Sequence, residues 1–327
     1  MATVFKTLST SDVSLTRTLL NEAIPITGTV VSGTYGDLNI KNYTHGMFQS
    51  VYDYPFLSSS ANHIFDISYG YSPALSSSLN SMNAKKMNMY NQMAQVLVGY
   101  DQTGSIRRFD RDADFTVTTD AMNACVFISY TRLLTKDEIK KETYSLTLLS
   151  GAAEITIRDR GARNEYRVNS PAGEYGILYT GSLPGEPIAT GSGVGLIYYQ
   201  AGIVVLTASA LLFDSVAAFT GSDITGTADN LRSVWIDNNF QNTTELNSTI
   251  YFCRASNNEF NYSSNQTYLS QSQIIVKEQD VNKPPQSYIT SIGLYSPNNE
   301  LLAVAKLSEP LKKTPSTELI FRVRLDY

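Results

Sequence analysis

From Leu319 to Tyr327 the chain alternates: Leu319, Phe321, Val323, Leu325 and Tyr327 share one parity, and Arg322, Arg324 and Asp326, with Glu318 before them, share the other. A side-chain period of two belongs to a strand and divides apolar from charged groups between two faces. Ser287 to Tyr295 and Glu300 to Ser308 read the same way, joined by the tight-turn sequence Ser296-Pro297-Asn298-Asn299. Glu309-Pro310 and Thr314-Pro315 punctuate the second connection. The chain is therefore expected to close on three consecutive strands, with its last residue held in a sheet. Half-apolar strands cannot stand alone, so they commit the fold to antiparallel β-structure.

Further β-branched and aromatic runs extend this reading: Ile26 to Ile40, Ile64 to Tyr69, Ala124 to Tyr130, Thr143 to Leu149, Ala153 to Arg158, Gly176 to Tyr179, Gly195 to Tyr199, Gly202 to Thr207 and Ser248 to Ala255. Gln200-Ala201-Gly202 predicts a hairpin between two of them. Few helices are expected. Ser11 to Glu22 has Ser9 or Ser11 as cap, Asp12 in its first turn, Pro25 beyond it and an apolar stripe of Leu15, Leu19 and Leu20. Ser81 to Val98 repeats apolar residues at three and four and stops at Gly99; its Met82, Met87, Met89 and Met93 read as core filling. Thr135 and Glu138 match a capping box that starts a single turn at Lys136. Ala208 to Phe213 and Thr225 to Asn238 could add short helices. The expected class is mainly β with a few short helices (α+β), built as antiparallel sheets in a sandwich-like body with an inserted β region. The expected domains are an N-terminal helical arm over 1–27, a mixed β-rich body over 28–150 and 248–327, and an inserted β domain over 151–247.

Charged residues are only 17% of the chain, with 21 Tyr among the neutral polar groups that replace them. Such a surface suits a protein covered by neighbours, because Tyr supplies contact area at low entropy cost. A net charge of −5 argues against a nucleic-acid groove and against attraction to anionic lipid. No apolar run approaches the ~20 residues of a membrane helix. The first residues lack the apolar stretch of a signal peptide. Cys125 and Cys253 are expected reduced and buried in strands.

The chain offers little for catalysis. His45 and His63 are its only histidines, and neither has a second at metal-ligand spacing. Gly-x-Ser-x-Gly is absent, and Gly191 to Gly195 opens a strand rather than a helix, unlike a phosphate loop. Asp110-Arg111-Asp112-Ala113-Asp114 matches the start of a calcium loop. It has Phe115 where Gly is needed and Ala121 where Glu is needed, so it reads as a solvated charged loop. Arg132, Lys136, Asp137 and Lys140 read as exposed turn charges. No catalytic residue, cofactor or metal is expected.

Several blocks carry a family resemblance: Thr44–Pro73, Tyr90–Ser105, Phe127–Leu148 (FISYTRLLTKDEIKKETYSLTL), Val194–Ser209, Phe260–Leu269, and the ending through Asn299–Pro310 and Thr317–Tyr327. They resemble virion structural proteins of contractile-tailed phages of marine and cyanobacterial type, in particular baseplate wedge and tail proteins. The resemblance implies a structural virion component acting through subunit interfaces. A neck, collar or head-attached protein and a receptor- or glycan-binding tail module are the alternatives. The implied partners are copies of itself and other baseplate or tail proteins, with no nucleic acid, membrane or small-molecule substrate. Assembly would take place in the host cytoplasm. The expected interface residues are Leu15, Leu19, Tyr52, Tyr54, Phe56, Phe260, Tyr262 and Tyr268.

Overall fold

The computed structural model describes residues 5–26, 36–75, 80–115, 120–150, 153–181, 193–208, 223–263, 268–270, 273–274 and 286–327. In chain order its elements begin with a 3₁₀ turn (Thr10–Asp12), β1 (Val13–Ile26), a second 3₁₀ turn (Gly36–Asn39), β2 (Ile40–Asn42), β3 (Gln49–Tyr52), β4 (His63–Tyr71), α1 (Ser81–Leu97), β5 (Ala124–Tyr130), α2 (Arg132–Thr135) and β6 (Glu138–Ile139). There follow β7 (Ser145–Ser150), β8 (Ala153–Arg158), α3 (Ala162–Glu165), β9 (Tyr175–Thr180), β10 (Gly195–Tyr198), β11 (Ile203–Thr207) and α4 (Ile224–Val234). The last are β12 (Trp235–Ala255), β13 (Leu269–Ser270), β14 (Gln273–Ile274), β15 (Ser287–Tyr295), β16 (Leu301–Lys313) and β17 (Leu319–Asp326). The protein is mainly β with a few short helices, as expected. It divides into two compact units, Leu19–Thr244 and Met1–Thr18 with Glu245–Tyr327.

In the unit Leu19–Thr244 the sheet runs β12-β7-β8-β9-β10-β11-β5-β4-β3-β2, with β6 also on β12. The pairs are antiparallel, for example Phe65↔Tyr130 to Tyr71↔Ala124 and Ile203↔Ser129 to Thr207↔Cys125. An uninterrupted apolar strand such as Ala-Cys-Val-Phe-Ile-Ser-Tyr is what burial on both faces requires. β5 meets that condition. Ala124, Val126, Ile128 and Tyr130 point into one core, Cys125 and Phe127 into another. β10 and β11 divide by parity in the same way.

The first core is closed by the β12–β7 end of the sheet, which turns to face β4 and β5. Trp235 stacks on Phe65 at 4.9 Å, and Phe240 meets Tyr130 at 5.1 Å. The Tyr130 and Tyr144 hydroxyls are 2.9 Å apart. The second core lies under α1, where Met89, Tyr90, Ala94 and Leu97 cover Phe127, Leu196 and Val205. Asn80 caps α1 by accepting from the Asn83 amide at 2.7 Å, and Gly99 at φ 84 ends it as expected. Gly70 lets the helix backbone approach β4, because a Cβ there would lie 2.7 Å from Lys86 O and Tyr90 N.

Four expectations are corrected. Val13–Ile26 is a strand, not a helix, and it lies beside β12. Leu15 and Leu19 are four apart, a spacing that shares one face in a helix and in a strand alike. Thr and Ser favour extended backbone, an open β12 edge supplies partners, and Pro25 is tolerated on an edge strand. Second, the capping box at Thr135 and Glu138 does not form. Its place is taken by α2, which ends at Lys136 with φ 55, and Glu138 opens β6. Ile139 N reaches Tyr199 O and Lys140 N reaches Gln241 O, so tertiary partners displace the local cap. Third, among the described residues the domain expected as an insertion over 151–247 is not separate. β8 pairs with β7 and β11 with β5, inside one sheet. Fourth, the body does not join 28–150 to 248–327, since 245–327 groups with the N-terminal residues. Thr225–Asn238 is a helix only to Val234. The helix expected at Ala208–Phe213 and most of the strand expected at Ile26–Ile40 lie outside the described residues.

In the other unit β12 pairs with β17 from Ser248↔Asp326 to Ala255↔Leu319, and Val13–Thr18 runs beside β12. β17 keeps its alternation, with Val323 buried between exposed Arg322 and Arg324. β15 and β16 form a hairpin whose turn has Asn299 at φ 65. β16 runs past Pro310, which the sequence reads as a stop. The register jumps from Ile289↔Leu311 to Ser291↔Lys306, so Pro310 sits in a bulge where no ladder donor is needed. Lys313 is wholly buried, its Nζ donating to Asn257 O at 3.1 Å, Asn261 Oδ1 at 2.9 Å and Thr314 O at 2.9 Å. Those oxygens replace the water that the ammonium loses.

Two substitutions test this packing. Gly70→Ala should cost about 1–3 kcal/mol, since backbone rather than a flexible side chain must give way. Lys313→Met should cost roughly 3 kcal/mol by leaving buried carbonyl oxygens unpaired. Urea unfolding of the full chain, read as a lowered midpoint at unchanged slope, checks both.

Candidate functional site

The ladder between β3 and β4 sets Ser50 directly opposite Asp66, and a bulge after Val51 brings Tyr52 opposite His63. Opposed residues of an antiparallel pair share a face, so these side chains converge. Ser50 Oγ donates to Asp66 Oδ1 at 2.5 Å, and His63 Nε2 lies 2.9 Å from the same oxygen. Tyr52 and His63 rings meet at 5.4 Å, and the Tyr43 hydroxyl is 3.4 Å from Ser50 Oγ. The carboxylate stands between serine and histidine. His63 therefore does not hold the serine proton, as a base in a nucleophilic triad must. What the trio does is fix charge. Asp66 holds the His63 pKa above its ordinary 6.5 through their hydrogen bond, against the opposing effect of burial. Burial, with Tyr43 beside it, raises that of Tyr52.

Next to the trio, Tyr43 stacks on His45 at 5.2 Å and meets Phe48 at 4.7 Å, with Lys41 Nζ 4.8 Å above the Tyr43 ring. These residues are half-buried or exposed and make a small aromatic platform. Sequence reading missed it, and missed Ser50 and Asp66. The only local signal is the close run Tyr43, His45, Phe48. The convergence itself depends on a strand register and a bulge that no local pattern fixes.

The expected interface residues fall in both units. Tyr52 and Phe56 form a ring pair at 6.3 Å and are half-buried, while Tyr54 is exposed. Leu19 lies exposed on β1 in the same unit. In the other unit Leu15 is 75% exposed. Phe260 and Tyr262 are exposed there and Tyr268 is half-buried. Phe260 is also structural: it takes φ 54 and its carbonyl accepts from Ser287 Oγ at 2.6 Å. Cys125 and Cys253 are free thiols, the first buried in β5, the second half-buried in β12. Among the described residues no helix is long and apolar enough to cross a membrane.

A raised histidine pKa stabilises the fold fully below the unfolded value, and that contribution is lost as pH rises through the folded value. The His63 ring should therefore titrate by NMR with a midpoint above 6.5, and Asp66→Asn should bring the midpoint down to 6.5 or lower. As pH rises from 6.5 through the folded midpoint, the wild type should lose more stability than His63→Gln, by a small margin because the pair is partly solvated.

Comparison with family models, with curated proteins and with solved structures finds no match for this chain.

Proposed function

We propose that this chain is a structural component of a tailed-phage virion, a baseplate wedge or tail protein that acts through subunit–subunit interfaces. The observation that carries the reading is β1. Its residues Val13 to Ala23 are all exposed, with Leu15, Leu19 and Leu20 among them. β1 also ends the strand order, so one of its edges is open among the described residues. An open edge strand can template pairing with another chain, and such a partner would cover the exposed leucines of β1. β16 and β17 add to this, with Leu302, Val304 and Ile320 each more than half exposed. Covering one such side chain contributes roughly 1.5–3 kcal/mol. A few of them supply the core of a stable interface. The sequence blocks that resemble virion proteins give the class of assembly.

The half-exposed Tyr43 and Phe48 with exposed His45 favour a second reading, a glycan-binding tail module, because flat rings beside a polar trio suit sugar faces.

Purified particles of the encoding phage, probed with labelled antibody to this chain, decide between the readings. Label at the distal tail in fixed stoichiometry is expected. Label at the neck would move the protein there, and absence from particles would remove the proposal. Leu15→Asp with Leu19→Asp should abolish incorporation while changing stability by less than about 1 kcal/mol, since both sites are exposed. Glycan binding by the isolated chain, lost in Tyr43→Ala, would establish the second reading instead.

A further inference from the structure

A loop closed by a bridge between Asp110 and Ala121 carries carboxylates at its first, third and fifth positions. Arg111 N donates to Asp120 O at 3.1 Å and Met122 N to Phe109 O at 2.8 Å, so the closure is a short ladder. Phe109, Ala113 and Met122 are buried in the core beneath α1, which builds the loop into the body of its unit. One carboxylate oxygen from each of Asp110, Asp112 and Asp114 lies within 4.8 Å of the other two. The sixth position, Phe115, which by sequence argues against a cation loop, takes φ 57. That is the left-handed turn a glycine would supply. Its amide donates to Asp110 Oδ2 at 2.8 Å.

Asp110 makes this more than a group of surface acids. The residue is 4% exposed, and its Oδ1 is buried with no hydrogen-bond donor. A buried carboxylate oxygen without a donor is costly, and native structures meet such atoms with a donor or a metal. Besides the Phe115 amide on Oδ2, the groups beside this carboxyl are the Tyr175 ring and the carboxyls of Asp112 and Asp114, and like charges there repel. Arg111, the adjacent cation, is turned away, with its Nε donating to Gly193 O at 2.7 Å. A positive charge held by all three carboxylates would satisfy Oδ1 and remove the repulsion together.

We propose that Asp110, Asp112 and Asp114 hold a divalent cation, Ca²⁺ in preference to Mg²⁺, which fixes the turn at residues 110–115 over the core. The donors are all hard oxygens on an irregular loop. That suits the variable geometry of Ca²⁺ better than the strict octahedron of Mg²⁺ and favours hard cations over softer metals.

The test uses the full chain stripped with a chelator, then titrated calorimetrically with CaCl2 or MgCl2 and melted in each. One Ca²⁺ site with Kd on the order of 10⁻⁴ M or tighter is expected, with a raised Tm and weaker binding of Mg²⁺. Asp112→Asn and Asp114→Asn alter the two less buried members, so the fold should survive. Each should weaken Ca²⁺ binding about tenfold or more, and Asp110→Asn should abolish it. No heat and no Tm shift at millimolar Ca²⁺ would overturn the proposal. So would unchanged affinity in the Asp112/Asp114 double variant, or Mg²⁺ binding as tight as Ca²⁺.

Discussion

The larger unit depends on burying one strand from both sides. β5 gives its even-numbered residues to a core shared with Trp235 and Phe240 and its odd-numbered ones to a core under α1. A one-residue slip would exchange the two sets. The β4–β5 and β11–β5 registers are thus fixed from both faces together, and the strands that follow them inherit that register. Gly70 belongs to the same constraint, since the helix that closes the second core can approach only where β4 has no side chain.

One buried carboxyl of that unit is met by hydrogen-bond donors rather than by a counter-charge. Asp159 is almost wholly buried and accepts from the Glu142 amide at 2.7 Å, the Tyr144 amide at 3.0 Å and the Tyr199 hydroxyl at 3.1 Å. Desolvation raises its pKa to about 7, with those donors pulling the other way. Asp110 resembles it in burial but differs in supply: it has one amide donor and two neighbouring carboxyls. Two carboxylates of one unit, one met by three donors and one not, define what is unusual at the Asp110 loop.

Legibility in the sequence followed the source of each element's stability. β5, α1 and β17 were readable because their patterns are strong and local: an unbroken apolar run, a three-and-four repeat ending in glycine, a strict alternation. β1 was misread because Leu15 and Leu19 satisfy two periods at once, and the neighbour that decides between them lies more than 200 residues away in β12. The capping box at Thr135 lost to backbone partners on Tyr199 and Gln241 for the same reason. Pro310 could be placed in a bulge only once the pairing was known. Tyr52 and Phe56 stand in a segment whose aromatic character is plain in the sequence. Ser50 and Asp66 carry no such signal, because nothing in either residue's surroundings states which strand it will face.

The two units differ in what their own residues bury. Both large apolar cores belong to Leu19–Thr244. Among the described residues of the other unit, the buried apolar side chains are Ile250, Ala255 and Val323. Its interior is held instead by Lys313 and its carbonyl ligands, by Ser248 donating to Asp326 Oδ1 at 2.5 Å, and by Ser287 on Phe260 O. Hydrogen bonds of this kind specify geometry but contribute only about 0.5–1.5 kcal/mol each, far less per residue than apolar burial. The same unit leaves Leu15, Leu302 and Ile320 in water. Among its described residues this unit thus leaves large apolar side chains in water while its interior is held by polar groups, so its own apolar burial contributes less to its stability than it does in the other unit.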